Sequence, residues 1–208
     1  MRVFFSSLFF FLAGAAIGIW VWSYAHRAIE QKRDEQTFNR QQKAPPAQSP
    51  TAPAKPLPPR LKHGDVVARL MIQKINLRAM IREGADSSTL DVALGHISGT
   101  AMPGQKGNVG VAGHRDTIFR RLGQVAKNDQ IQLQTLSGTY TYQVDDMQIV
   151  TPKNVSVLLP GRGAQLTLVT CYPFNFIGSA PKRYIVKAHL VSRITGEPPT
   201  TPAVIETR

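Results

Sequence analysis

The chain has 208 residues, enough for one ordinary domain with appendages or for at most two small domains. Its 25 Lys and Arg residues outnumber 13 Asp and Glu residues, giving a net charge of +12. The basic residues are spread rather than gathered into runs, which argues against dedicated nucleic-acid binding and fits attraction to an anionic membrane or cell-wall surface. A single cysteine excludes an internal disulfide and a multi-cysteine zinc site.

The first 25 residues are predicted to form a transmembrane anchor. Residues 3–24 carry no charge, and a helix of that length covers roughly the 30 Å hydrocarbon thickness of a bilayer. Trp20, Trp22 and Tyr24 cluster at one end, where an aromatic belt is expected. A cleaved signal peptide is the alternative, but the apolar run is long for one and its end is bulky. The count of flanking Lys and Arg alone would keep the C-terminal side in the cytoplasm, but that rule weakens for long translocated domains, so the orientation must follow from function.

Residues 26–60 are predicted to connect this anchor to a folded body. The charged segment 26–43 is rich in helix formers and should extend the anchor helix, although an irregular stalk is the alternative. Residues 44–59 include seven prolines, a composition that favours polyproline II and a semi-stiff spacer of roughly 50 Å. The folded body is then 61–195, followed by a disordered tail at 196–208.

Within 61–195 the pattern is mostly that of short strands, with few helices. Period-two alternation and turn residues predict strands over 66–72, 77–81, 108–113, 130–136, 139–150, 166–170 and 184–190. A helix is predicted over 87–94, capped by Asp86 or Ser87 and ended by Gly95, with a brief second helix capped by Asp116. Six to eight strands with so few helices predict a closed or nearly closed β-barrel.

The single cysteine, Cys171, follows the alternating strand 166–170 directly. Pro173 stops that strand, and Arg183 opens the next one after a loop. If the two strands are neighbours, the thiol and the guanidinium lie side by side. A fixed cation favours the thiolate form and can hold a developing oxyanion. The alternative is a small core residue and a solvated surface charge.

His114 occupies a comparable position at the end of the predicted strand 108–113. A histidine there can act as a general acid or base, although a structural or surface role is the alternative. His96 is the main rival. His26 and His63 lie in or beside the stalk, and His189 lies inside a strand.

Three blocks of this sequence resemble the sortases, the membrane-anchored cysteine transpeptidases of bacterial cell surfaces. Thr167-Leu168-Val169-Thr170-Cys171 matches the TLxTC signature of that family. Gly107-Asn108 leads to Gly113-His114-Arg115-Asp116, and Arg183 follows the cysteine by about a dozen residues. The stretches after Cys171 and before Arg183 look most like class D.

The resemblance implies an eight-stranded β-barrel with a Cys171, His114 and Arg183 site and neither metal nor organic cofactor. Cys171 would attack the Thr carbonyl of an LPxT-type sorting signal on a surface protein and form a thioacyl intermediate. His114 would act as acid and then as base, while Arg183 would hold substrate and oxyanion. An amine nucleophile, from a cell-wall precursor or a pilin, would complete the transfer.

Further residues are candidates on the substrate side, namely Thr170, His96 and Leu158. The alternative for Thr170 is an ordinary strand position, the alternative for His96 is a structural histidine, and the alternative for Leu158 is core packing. The segment 93–96 lacks the proline that relatives often show before this histidine. Asp116 is read as a helix cap rather than as a partner of His114. Some sortases use calcium, but no acidic cluster here is specific enough to assign a site.

Two other functions remain open on the sequence. A papain-like protease would use Cys and His for hydrolysis, but its cysteine lies on a helix. A non-catalytic surface adaptor would be unaffected by Cys171→Ala.

Overall fold

The structure is a computed structural model that describes residues 2–43, 61–176 and 178–195, with side chains of the first helix described from residue 13 onward. The predicted proline-rich spacer and the predicted disordered tail lie outside the described residues. Helix α1 spans Arg2–Lys43, and a short helix α2 spans Ser87–Leu90. Single 3₁₀ turns lie at Gln73–Ile75, Leu122–Gln124 and Val155–Leu158.

Eight strands form a closed barrel in the order β1-β2-β3-β4-β7-β8-β6-β5, which confirms the predicted eight-stranded architecture. The strands are β1 Val66–Ile72, β2 Leu77–Glu83, β3 Leu94–His96, β4 Gly107–Ala112, β5 Gln130–Thr135, β6 Gly138–Val150, β7 Ala164–Tyr172 and β8 Lys182–Thr195. Closure removes free sheet edges. Most neighbouring strands run antiparallel, whereas β4 runs parallel to β7 and β2 runs parallel to β3.

The barrel interior follows from the alternation along each strand. Leu166 and Leu168 of β7 are completely buried, as are Ile131 and Leu133 of β5. Because side chains of a strand alternate between its two faces, Cys171 lies on the face opposite to these two leucines. The nucleophile candidate is therefore presented on the outer wall of the barrel.

Two predicted helices differ from the structure. The helix expected over 87–94 ends at Leu90, and Leu94–His96 instead forms β3, so Gly95 is a strand residue. Gly95 and His96 pair with both β2 and β4 there, and a short apolar run cannot be told from a helix by its pattern alone. Asp86 does cap α2, since its side chain accepts from the Thr89 amide.

The brief helix expected after Asp116 is replaced by turns and the 3₁₀ segment Leu122–Gln124. Arg121 precedes this segment without a side-chain capping hydrogen bond. Phe119 and Leu122 are fully buried, and the Phe119 amide donates to the His114 carbonyl at 3.0 Å. Packing of these two side chains therefore fixes the turn, and the predicted capping role of Asp116 is wrong.

Helix α1 continues through the charged segment 26–43, as predicted, and its last part packs against the barrel. Phe38 is only 2% exposed, and the Arg69 guanidinium lies 4.9 Å from its ring centroid. Arg82 of β2 donates to both carboxylate oxygens of Asp34, at 2.6 and 2.7 Å. Gln31 accepts from the Met80 amide at 2.9 Å. Barrel and helix are thus in direct contact rather than held apart by the segment that joins them.

From residue 13 onward, where side chains are described, no helix is both long enough and apolar enough to cross a membrane.

Candidate active site

Three neighbouring strands place Cys171, Arg183 and His114 together. Cys171 and Arg183 are directly opposite each other in the antiparallel pairing of β7 with β8. Side chains of such pairs point to the same face, with Cβ atoms about 4.5–5.5 Å apart. The Arg183 side chain therefore starts next to the Cys171 side chain on the same face of the sheet, which is the neighbouring placement predicted from the sequence.

His114 approaches Cys171 from the other side. The parallel ladder between β4 and β7 ends at Ala112 opposite Val169, and the Gly113 amide extends it by donating to the Val169 carbonyl at 3.1 Å. Continuing this register by two residues brings His114 level with Cys171, on the same face of the sheet. The nucleophile candidate is thus flanked by an imidazole just beyond the end of β4 and by a guanidinium on β8.

The side chain of Thr170 locks this arrangement. It is 2% exposed, and its hydroxyl donates to the Gly113 carbonyl at 2.7 Å. That hydrogen bond ties the residue before Cys171 to the residue before His114. Its hydroxyl is engaged within the protein, which favours a structural role over the predicted contact with substrate.

Two other signature residues also have structural partners. The buried Thr167 hydroxyl donates to Asn108 Oδ1 at 2.8 Å. The Asn108 amide in turn donates to the Val157 carbonyl at 3.1 Å, which holds the 3₁₀ segment 155–158 against the outer wall. Leu158, predicted to line a substrate groove, is half-buried in this segment. The adjacent Leu159 is 65% exposed.

Arg183 is positioned by its own loop. Its Nη1 atom donates to the Ala180 carbonyl at 3.2 Å and to the Lys182 carbonyl at 3.0 Å. The guanidinium is half-buried, and its other nitrogens remain donors to a group above Cys171. The conformation of the loop that carries Ala180 therefore sets where this cation points.

An aromatic cluster lies beneath the site. The rings of Phe174 and Tyr184 are 5.3 Å apart, and Tyr172 lies 5.9 Å from Phe174 and 6.2 Å from Tyr184. The pKa of Tyr184 is raised mainly by burial and to a smaller extent by the neighbouring Tyr172. Phe174 also packs so closely on Gly123 that a Cβ there would approach its ring to 2.8 Å. This packing supports the β7 end on which Cys171 stands.

His114 has one acidic neighbour. Its Nε2 atom lies 3.6 Å from Asp91 Oδ1, and the imidazole is 39% exposed. Asp91 follows α2, and nothing in the sequence pattern singles it out, because the contact depends on how α2 is seated against the end of β4. An imidazolium formed during a reaction would be stabilised by this carboxylate.

The rival histidine, His96, is placed differently. It is 2% exposed, with Nδ1 at 2.5 Å from Glu83 Oε2 and Nε2 at 3.1 Å from the Ala101 carbonyl. Both ring nitrogens are engaged by the protein, which favours the structural alternative over a role in binding substrate. Across the described ranges, no group of three or more His, Cys, Asp or Glu residues is arranged to hold a metal ion.

The profile of the Sortase domain family matches residues 70–191. The chain belongs to the sortase family. It is 40% identical to Sortase D of Bacillus subtilis over 124 residues, which cover 59% of this chain and 63% of the relative. Sortase A of Streptococcus agalactiae is 29% identical over 142 residues, or 64% and 55% of the two chains. The matches thus span less than two thirds of the length of these curated relatives.

Solved sortase structures share the fold. A Clostridium perfringens Sortase D5 transpeptidase superposes with a TM-score of 0.67 at 28% identity, covering 78% of this chain and 99% of that one. Sortase E1 from Streptomyces coelicolor, solved with a tripeptide in the active site, gives 0.58 at 32% identity over 66% and 95%. Class D members are among these similar proteins, in agreement with the class predicted from the sequence.

Proposed function

We propose that this sortase is a membrane-anchored cysteine transpeptidase that acts on proteins with an LPxT-type C-terminal sorting signal. The observation that carries the proposal is the cross-strand pairing of Cys171 with Arg183, with His114 at the same level on the opposite side. Nucleophile, acid or base, and fixed cation are the three elements that acyl transfer through a thioester requires.

The first half of the reaction forms the thioester. The Cys171 thiolate attacks the Thr carbonyl carbon, and the carbonyl oxygen becomes an oxyanion beside Arg183. When the tetrahedral intermediate collapses, the peptide bond after Thr breaks and the departing amine takes a proton from the His114 imidazolium. Asp91 stabilises that imidazolium before the proton leaves.

The second half regenerates the enzyme. An incoming amine, from a cell-wall precursor or a pilin, attacks the thioester and gives a proton to neutral His114. The thiolate of Cys171 leaves, and a new amide bond joins the Thr carbonyl to the acceptor. The thioester retains the acyl reactivity of the bond that was cleaved, so no external energy source is needed.

The uncharged segment 3–24 supports a location for the reaction. We assign this segment to a single membrane span, with the N-terminus in the cytoplasm and the barrel outside the cell, because sorting substrates and their acceptors are outside. Accessibility of the barrel to protease added to intact cells tests this topology. Protection of the barrel until the cells are lysed would contradict it.

The test of the activity uses the full chain in detergent, since α1 packs against the barrel. It is mixed with LPxTG and LPxTA peptides and with diglycine or triglycine, and mass spectrometry follows both enzyme and peptide. We expect a thioacyl adduct on Cys171 and an amine transfer product, both lost in Cys171→Ala. Hydrolysis without transfer for every amine would favour a protease, and the absence of adduct and products would reject the proposal.

A further inference from the structure

The side chain next to His114 reaches the loop between β7 and β8. Arg115 Nη2 donates to the Phe176 carbonyl at 2.6 Å and to the Gly178 carbonyl at 2.8 Å. Its guanidinium carbon also lies 5.8 Å from the Phe176 ring centroid. Both hydrogen bonds have a charged donor, which makes them stronger than neutral ones.

This loop, described at residues 173–176 and 178–181, connects the strand of Cys171 to the strand of Arg183. It is held near its middle by Arg115 and near its end by Arg183 itself, whose Nη1 donates to the Ala180 carbonyl. A movement at Gly178 is passed along two peptide units to Ala180. The position of the Arg183 guanidinium therefore depends on Arg115.

The barrel does not need Arg115 for its fold. The ladders that join β4 to β7 and β7 to β8 are formed by backbone atoms, and the Thr170 hydroxyl separately links Gly113 to β7. The Arg115 side chain is half-buried and contacts the loop. Its removal should release the loop and leave the strands in place.

We propose that Arg115 is a positioning residue of the active site, which ties the β7–β8 loop to the His114 segment and thereby aims Arg183 at the oxyanion. The proposal rests on the transpeptidase function proposed above. It goes beyond the three reacting side chains by assigning the geometry of the cation to a residue that does not touch the substrate.

The experiment is a double-mutant cycle in the full chain, with Arg115→Ala and Arg183→Ala alone and together. We expect Arg115→Ala to lower kcat/KM for an LPxTG peptide about 10- to 100-fold, the range that the loss of one to two charge-assisted hydrogen bonds gives at tenfold per 1.4 kcal/mol. In the Arg183→Ala background the same change should cost less than threefold, because the group through which Arg115 acts is gone.

Arg120→Ala is the matched control, since Arg120 is an exposed arginine five residues further along the same turn. It removes the same charge and should change kcat/KM by less than twofold. If Arg115→Ala fails to fold, Arg115→Gln keeps most of the side-chain volume, loses the charge, and should show the same non-additivity with Arg183→Ala.

Hydrogen exchange provides a readout that does not depend on turnover. In Arg115→Ala, amides of residues 174–176, 178–180 and 182 should exchange at least tenfold faster while amides of β4 and β7 stay unchanged. Equal costs of Arg115→Ala in both backgrounds, or unchanged exchange in the loop, would overturn the proposal. Failure of the proposed transpeptidase function would be recognised separately, because the wild-type chain would then form no Cys171-dependent product. In that case the hydrogen-exchange result alone would decide whether Arg115 holds the loop.

Discussion

Docking of α1 on the barrel depends on Phe38, and Phe38→Ala should release it. The ring is 2% exposed and lies under the Arg69 guanidinium. Burial of a phenylalanine contributes about 1.5–3 kcal/mol, and a largely desolvated cation–π contact adds about 1 kcal/mol. We expect the docking free energy to fall by about 3 kcal/mol, or roughly 100-fold in the docking equilibrium.

The Met80 amide reports this equilibrium directly, because its hydrogen-bond acceptor is Gln31 Oε1 on α1. Residue-resolved hydrogen exchange of the full chain in detergent should show faster exchange of this amide in Phe38→Ala, approaching 100-fold if docking limits exchange in both proteins. Thr37→Ala, an exposed neighbour on the same helix, should leave the rate unchanged. An unaltered exchange rate of the Met80 amide in Phe38→Ala would show that Phe38 does not hold α1 on the barrel.

Three further predictions concern docking, site geometry and chemistry. A hydrogen bond from Arg82, helped by the charge of that residue and opposed by burial, lowers the pKa of Glu30 below its ordinary value of 4.5. The contribution of Glu30 to docking should therefore be full above pH 4.5 and be lost as the pH falls through the lowered pKa. Exchange of the Met80 amide, corrected for its intrinsic rate, should report this loss, and the pH dependence should be smaller in Glu30→Gln. Thr170→Val should leave the buried Gly113 carbonyl without its donor, at a cost of about 1–3 kcal/mol, so that the Tm falls by about 3–10 °C in calorimetry; an unchanged Tm would contradict the locking role. Arg183→Lys keeps the charge but loses the planar fork, and transfer in the peptide assay should fall about 100-fold, whereas near-normal turnover would remove the oxyanion role.

The barrel and the placement of Cys171, Arg183 and His114 at one end of neighbouring strands could be predicted because both follow from strand alternation. Period two along β7 determines which face Cys171 occupies, and the loop after Pro173 is short enough to make β7 and β8 neighbours. Arg183 is then opposite Cys171 by register alone. His114 was identifiable as a strand-end residue. The parallel ladder between β4 and β7 explains why it lies at the same height along the sheet as Cys171.

Contacts between distant segments were not readable from the sequence. The docking face of α1 includes Gln31, Asp34, Glu35 and Phe38, at the three- and four-residue spacing of one helix face. Three of these four side chains are polar, so their pattern is that of a solvated helix. Only the partner residues on β1 and β2 show that this helix face is a docking surface. Asp91 was missed for the same reason, since its contact with His114 joins two loops.

Under the proposed membrane topology, docking of α1 determines the distance between the bilayer and the barrel. Among the described side chains of α1, Glu30 is the first that bonds to the barrel. It lies six positions after Tyr24, and a helix rises about 9 Å over that length. With 3–24 as the membrane span, the barrel is therefore attached close to the bilayer by a continuous helix. The reach of the proline-rich segment does not enter this distance, because both of its ends are tied to the same body. Under that topology Arg82, bonded to Asp34 and Glu30, would fix the orientation of the Cys171 face of the barrel relative to the proposed membrane span.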